Sequence, residues 1–409
     1  MLSHHSSGKA LGYALILFSL VACGTLTRQQ LDPADQAPRR FSSGDDVNAE
    51  VASLVQPLMA AKRTPGLVVG VLTADGQKHV FGYGVSDQLS GRKPDGGTLF
   101  AIGSLSKGFL ADAAALLVQE GRLNWDDDLE SLLPAGTVLS DDAKKITLLQ
   151  LATHTSGLPR QPMTPQTLGY FIEYLFTGNS FYRHFDETYL LGYLADFDRP
   201  ERVESQYSNI GYGLLGHVLE VRSGKQVDEL VGERVLAPMG LDNTSYWPQR
   251  LPGYPSRARG HAGDQPKFIR RGQAVPDWRF SDILQGSAAL YSNAEDLLGY
   301  AAAHLHGSAN AELGAALLDT LQVRLERSRE APAIAWIVDD IRGQKIAYQV
   351  GLVAGYSSYL GLDTRHKTAV VVLQNSFNWT DSVGHRLLLR MADALDRPHS
   401  GPPGATRQP

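Results

Sequence analysis

Hydrophobic positions follow two rhythms in this chain, strand-like near both ends and helical between them. Gly66-Leu67-Val68-Val69-Gly70-Val71-Leu72 is a continuous apolar run rich in β-branched residues, which predicts a buried strand. Asp75-Gly76 supplies a turn, and residues 79–85 predict the hairpin partner. Four more strand-like runs lie near the other end, at 333–338, 345–350, 357–362 and 368–373. Their connections are short, so the spacing predicts antiparallel pairing. In the long middle the period lengthens. Leu110, Ala113, Ala114, Leu117 and Val118 recur at helical spacing after Gly103, and Gly121 ends the segment. The same spacing predicts helices over 51–61, ahead of Pro65, and over 382–395.

The predicted helix after Gly103 carries the first candidate chemistry. In Ser104-Leu105-Ser106-Lys107, residues three apart share a helix face, with Cβ atoms about 5–6 Å apart. A lysine amine can then reach the Ser104 hydroxyl. If burial and nearby positive charge keep that amine neutral, it can take the hydroxyl proton and activate a nucleophile. Ser106 is a rival nucleophile, but it adjoins Lys107 and points to another side of the helix. The spacing alone is not decisive, because Ser6-Ser7-Gly8-Lys9 repeats it in the leader. Two later segments accompany it in order. Tyr207-Ser208-Asn209 leads into a Gly-rich helical run, and Gln349-Val350-Gly351 precedes Gly355-Tyr356-Ser357-Ser358.

Together these segments resemble the S-x-x-K, Y-x-N and K-T-G boxes of the serine β-lactamase and penicillin-binding-protein family. Within it, the chain looks closest to the class C β-lactamases and the related DD-peptidases and esterases. The resemblance runs over about residues 51–395 and includes Leu151-Ala152-Thr153-His154-Thr155-Ser156-Gly157-Leu158-Pro159 and the segment 286–292. It implies an α+β fold, in which an antiparallel sheet flanked by helices packs beside a mainly helical subdomain with the active site between them. It also implies roles: Ser104 as nucleophile, Lys107 as acylation base or part of a shared proton relay, and Tyr207 as the phenol relaying protons to the leaving group. Asn209 would orient Lys107 and hold the substrate's amide. Gly351 would permit close substrate approach, and the backbone N–H groups of Ser104 and Leu352 would form the oxyanion hole.

Tyr291-Ser292-Asn293 competes for the second box, but Ser292-Asn293-Ala294-Glu295 reads as a capping box opening a helix. The third box departs from the family. Counting back from Gly355 puts Gln349 and Val350 where the family has lysine and threonine, the pair that grips a substrate carboxylate. From Ile346 to Asp363 there is no Lys, Arg or His. His366-Lys367-Thr368 is followed by alanine and reads as a charged turn. Arg160 or another residue of the helical part is left as the possible source of positive charge, and substrates without a carboxylate gain plausibility. The segment 170–197 holds ten Tyr and Phe residues, which reads either as helices packing on one another or as an apolar wall over the cleft. His154 reads as a structural histidine bonding backbone, with a place near the cleft as the alternative.

Composition adds boundaries. The chain has 409 residues, 43% hydrophobic and 20% charged, enough for a sizeable core, and its net charge of −5 gives no footprint for nucleic acid. No H-E-x-x-H, Cys/His metal spacing or G-x-S-x-G elbow occurs, so no metal or organic cofactor is expected. An apolar run at 11–20 follows Lys9 and is short for a membrane span. It ends in Leu20-Val21-Ala22-Cys23, which resembles a bacterial lipobox, and Cys23 is the sole cysteine, so no internal disulfide can form. The expected organisation is a signal peptide over 1–22, a tether over 23–46, a hydrolase domain over 47–396 and a disordered tail over 397–409. By resemblance, Gly24 after the cysteine favours lipid anchoring to the outer membrane, facing the periplasm. An ordinary signal peptide with an incidental cysteine is the alternative. The functional reading is a serine acyl-hydrolase acting on a β-lactam or peptidoglycan D-Ala peptide. A carboxylesterase on small esters and a non-hydrolytic penicillin-binding or sensor-type protein are the alternatives, and no protein partner is predictable.

Overall fold

A computed structural model describes residues 39–397 except 42, 163, 202–204, 328 and 379–381. The signal peptide, the Cys23 lipobox, residues 23–38 of the tether and the tail from 398 lie outside the described residues. Nine strands form among the described residues: β1 (Gly66–Leu72), β2 (Lys78–Gly84), β3 (Phe100–Ala101), β4 (Tyr291–Ser292), β5 (Ala331–Pro332), β6 (Ile337–Ile341), β7 (Gln344–Val353), β8 (Tyr356–Asp363) and β9 (Thr368–Gln374). Seven make one antiparallel sheet in the order β2-β1-β9-β8-β7-β6-β5, and β3 pairs with β4 separately. The longer helices are α1 (Gly44–Ala60), α2 (Ser106–Gln119), α3 (Pro165–Thr177), α4 (Glu187–Ala195), α5 (Asn209–Ser223), α6 (Ala294–His306), α7 (Ala311–Thr320) and α8 (Val383–Asp396).

The unbroken apolar run of β1 has the expected cause, since both faces of the sheet are covered. Leu67, Val69 and Val71 join Val51 and Val55 of α1 and Leu387 and Leu388 of α8 in one cluster. Val68 and Leu72 turn to the other face and join Leu297 and Leu298 of α6. Fully burying each such side chain contributes about 1.5–3 kcal/mol. Pairing of β1 with β9 ties the two ends of the chain into one sheet. The fold is therefore α+β, an antiparallel sheet flanked by helices with a mainly helical part beside it.

Three local expectations change. The run at 333–338 is not one strand: β5 ends at Pro332, β6 starts at Ile337, and Ala335 between them has a positive φ of 64°. The Ala335 N–H instead bonds the Ala152 carbonyl at 3.1 Å, fastening this kink to the helical part. The helix after β4 is capped by Asn293, whose side chain accepts from the Asp296 N–H at 2.8 Å. Ser292 takes no part in that cap and bonds Thr244 Oγ1 at 2.8 Å. Finally, α1 begins at Gly44, earlier than its apolar spacing indicates. Ser43 caps it, and Asp45 and Asp46 lie in its first turn, where the helix dipole favours negative charge.

Candidate active site

Ser104 sits in a 3-10 turn, Gly103–Leu105, that runs directly into α2. The helix proper starts at Ser106, two residues later than the S-x-x-K spacing assumes, yet the serine and lysine still meet. Gly103 holds a φ of 53°, which favours glycine, and a Cβ there would lie 2.9 Å from the Leu352 nitrogen. The turn is thus pressed against β7. β6 pairs with β7 only as far as Tyr348, opposite Ile337, so the edge beyond it is free to face the turn. This brings the Leu352 backbone next to Ser104, as an oxyanion pair requires. Gly351 does a different job from the one expected: a Cβ on it would lie 1.9 Å from the Ile102 carbonyl oxygen. Its bare face is filled by the protein's own chain and not by substrate.

Lys107, in the first turn of α2, is 2% exposed. Its Nζ lies 3.1 Å from Ser104 Oγ, 2.9 Å from Asn209 Oδ1 and 2.6 Å from the Ser287 carbonyl oxygen. Three oxygen atoms within hydrogen-bond reach thus fix the position of the amine. Ser106 is excluded as nucleophile: its buried hydroxyl donates to the Gly103 carbonyl at 2.6 Å and accepts from the Leu290 N–H at 3.0 Å. Asn209 opens α5, and its Nδ2 donates to the Tyr182 hydroxyl at 2.6 Å. Both ends of the Asn209 amide are therefore engaged inside the protein, which supports the lysine-orienting role and leaves little for substrate.

Tyr207 lies just before the N-cap of α5, Ser208, whose side chain accepts from the Gly211 N–H at 2.9 Å. The Tyr207 ring centroid is 5.0 Å from Lys107 Nζ, 4.8 Å from the Arg160 guanidinium carbon and 4.3 Å from the His154 ring. His154 does bond backbone, its Nδ1 accepting from the Ser208 N–H at 3.1 Å, and it also packs on the Tyr207 ring. Burial, with Lys107 and Arg160 nearby, holds the His154 imidazole well below its usual range. A neutral ring is consistent with that accepting Nδ1.

These residues line one cleft of about 300 Å³, together with Gln349, Val350 and Leu352 from β7. Gln349 is 4% exposed, and neither of its amide atoms has a hydrogen-bond partner among the described residues. The aromatic segment divides between its two readings. Phe171, Tyr174, Phe181 and Tyr182 line the cleft, joined by Trp278, Phe280 and Trp336, whereas Phe185 and Phe197 pack into the core. Tyr291 pairs in β4, and His366 bonds Asp363 and Asp396 in the turn between β8 and β9, so neither competes for the site. Sequence reasoning did not find Tyr182 and Ser287. Ser287 falls in the segment 286–292 already marked by resemblance, but no spacing rule points to the Tyr182 hydroxyl.

An antiparallel sheet beside a helical part, with a Ser–Lys pair faced by Tyr and Asn in the cleft between, defines a protein of the active-site-serine type. Residues 51–394 match the family model described as Beta-lactamase, and the chain belongs to that family. A β-lactamase of Pseudomonas fluorescens is 33% identical over 201 residues, 49% of this chain and 51% of its own length. The D-alanyl-D-alanine-carboxypeptidase/endopeptidase AmpH of Escherichia coli K12 is 29% identical over 191 residues, 44% of this chain and 45% of its own. The chain thus spans about half the length of these curated relatives. The crystal structure of a class C β-lactamase from Rhodobacter sphaeroides shares the fold at 21% identity, with a TM-score of 0.70 over 85% of this chain and 99% of that one.

Proposed function

We propose that this chain is a serine acyl-hydrolase working through an acyl-enzyme on Ser104. The observation that carries the reading is Lys107 Nζ at 3.1 Å from Ser104 Oγ, held there by Asn209 and the Ser287 carbonyl. Ser104 Oγ adds to an amide, lactam or ester carbonyl as its proton passes into the Lys107–Tyr207 relay. The oxyanion rests against the N–H groups of Ser104 and Leu352. Collapse expels the amine or alcohol, which takes up the relayed proton. Water then attacks the ester bond to Ser104, losing a proton to the same relay, and returns the serine hydroxyl with release of the acid. The β-lactamase and carboxypeptidase relatives support a β-lactam or D-Ala peptide as substrate.

A second substrate reading, hydrolysis of neutral esters with an apolar acyl part, is favoured by Gln349 in place of a cation and by the aromatic wall. The test is an active-site serine probe followed by a panel of a chromogenic cephalosporin, a D-Ala-D-Ala peptide and short p-nitrophenyl esters. The expected adduct maps to Ser104, and Ser104→Ala abolishes labelling and lowers turnover by several orders of magnitude. Labelling that survives Ser104→Ala overturns the mechanism. Stable labelling without turnover of any panel member identifies a penicillin-binding or sensor-type protein instead. The leader motif supports lipidation at Cys23, with the enzyme tethered to a membrane and facing the periplasm.

A further inference from the structure

Helix α3 is apolar on more than one side. Phe171 and Tyr174 face the cleft, whereas Leu168, Ile172 and Phe176, four residues apart, are 36%, 48% and 61% exposed. Phe268, 60% exposed, stacks on Phe176 with ring centroids 4.5 Å apart. Its N–H bonds the Leu175 carbonyl at 3.0 Å, so this loop is fixed to the end of α3. Isolated exposed apolar residues are ordinary, but a continuous ridge of four large ones marks a contact surface. Its surroundings are cationic. Lys267 and Arg270 are exposed beside Phe268 and are in no ion pair among the described residues. The nearby acids are already neutralised, Glu173 by Arg183, and Asp264 by Arg63 and Arg271.

We propose that this ridge docks on a lipid bilayer carrying anionic headgroups. Phe176, Phe268, Ile172 and Leu168 enter the acyl boundary, and Lys267 and Arg270 meet the phosphates, the division of labour of an interfacial surface. Charge complementarity selects an anionic lipid face over a second copy of this chain, because Lys267 and Arg270 call for counter-charges and the acids beside the same ridge on a second copy, Glu173 and Asp264, are already paired. The two elements that bear the ridge also line the cleft, α3 through Phe171 and Tyr174 and the loop through Gln265. Docking would therefore hold the cleft mouth at the membrane surface. The inference does not depend on the hydrolytic chemistry, and a Ser104→Ala protein docks equally well.

The experiment uses the full chain bearing Cys23→Ala, so that no N-terminal acyl group contributes, and sediments it with phosphatidylcholine vesicles with or without phosphatidylglycerol. Binding is expected to the anionic vesicles and to weaken with salt. Phe176→Ser with Phe268→Ser should reduce partitioning by about ten- to a hundredfold. Lys267→Gln with Arg270→Gln should abolish the preference for phosphatidylglycerol. Leu89→Ser, at a side chain 97% exposed elsewhere, should change nothing. Labelling of Ser104 by the serine probe verifies that each variant is folded. No vesicle binding by the parent, or equal binding by the double-Phe variant, overturns the proposal. A concentration-dependent dimer that the double-Phe change dissolves, without vesicle binding, assigns the ridge to a second copy and also overturns it.

Discussion

Gln349→Met separates a recognition role for Gln349 from a packing role. The parent buries an amide with neither Oε1 nor Nε2 bonded, beside the first turn of α2, where a Cβ on Gly108 would come within 2.5 Å of Nε2. A buried unsatisfied polar group costs about 1–3 kcal/mol, and methionine is close to isosteric, so the substitution should stabilise the unliganded protein by up to that amount. Unfolding entropy near 2.1 cal/mol/K per residue over about 350 described residues converts this into a Tm rise of about 1–4 °C by calorimetry. If the vacant amide is there to read substrate, kcat/KM for the best substrate in the panel should fall about ten- to a hundredfold at the same time. Stability gained and activity lost by one substitution is the signature of a site strained for function. The companion change, Gln349→Lys with Val350→Thr, should selectively improve a carboxylate-bearing cephalosporin over a p-nitrophenyl ester. A Met variant that melts lower than the parent with unchanged kinetics refutes the reasoning. Efficient cephalosporin turnover by the parent, unaffected by the double change, would transfer the carboxylate grip to Arg160, which stands 4.8 Å from the Tyr207 ring centre.

Tyr182→Phe keeps the ring but removes the hydroxyl that accepts from Asn209 at 2.6 Å, so kcat should fall about tenfold with little change in melting temperature; unchanged kcat removes Tyr182 from the relay's support. His154 is held well below its usual range in the fold and titrates near 6.5 when unfolded, so the stability it contributes is full above about pH 6.5 and is lost as pH falls below that value. Urea unfolding at about pH 7.5 and about pH 5 should show a smaller acid loss in His154→Gln than in the parent, and equal losses would show that His154 does not contribute. Expressed in full in a Gram-negative host, the chain should incorporate labelled palmitate and Cys23→Ala should end it, whereas a soluble unlipidated parent refutes the lipobox reading.

The strands near the chain ends were legible because both faces of the sheet are covered, so β1 and β9 read as near-continuous apolar runs whose bounds scarcely move in the structure. Breaks in the pattern occur where polar or tertiary contacts set the backbone. Ala335 leaves the extended conformation to bond Ala152, a partner far away in sequence that no local period encodes. The Ser104–Lys107 pair was legible since three residues of a 3-10 turn and helix bring the same atoms together as three residues of helix alone. Tyr182 was not, because its hydroxyl reaches Asn209 through the packing of the aromatic segment rather than through any spacing.

The third box shows which parts of a motif geometry demands and which chemistry can replace. Gly351 is demanded by geometry, because any side chain there would collide with the Ile102 carbonyl and push the Ser104 turn off the edge of β7. In the proposed oxyanion pair Leu352 would contribute only a backbone nitrogen, so its side-chain identity would be immaterial there. The positions before them are under no such constraint: Gln349 and Val350 occupy the places of lysine and threonine while β7 keeps full register with β8, from Ile346 opposite Asp363 to Val353 opposite Tyr356. Placement of the Ser104 turn thus rests on glycine and backbone, and on the proposed reading substrate choice rests on Gln349 and Val350, which can change without moving either. On that division, Gly351→Ala should disable Ser104 labelling by misplacing the turn, whereas Gln349→Met should leave labelling by a small uncharged probe intact and alter only which substrates are taken. Loss of labelling in both variants would show that Gln349 also holds the nucleophile in place, and the separation of placement from selectivity would fail.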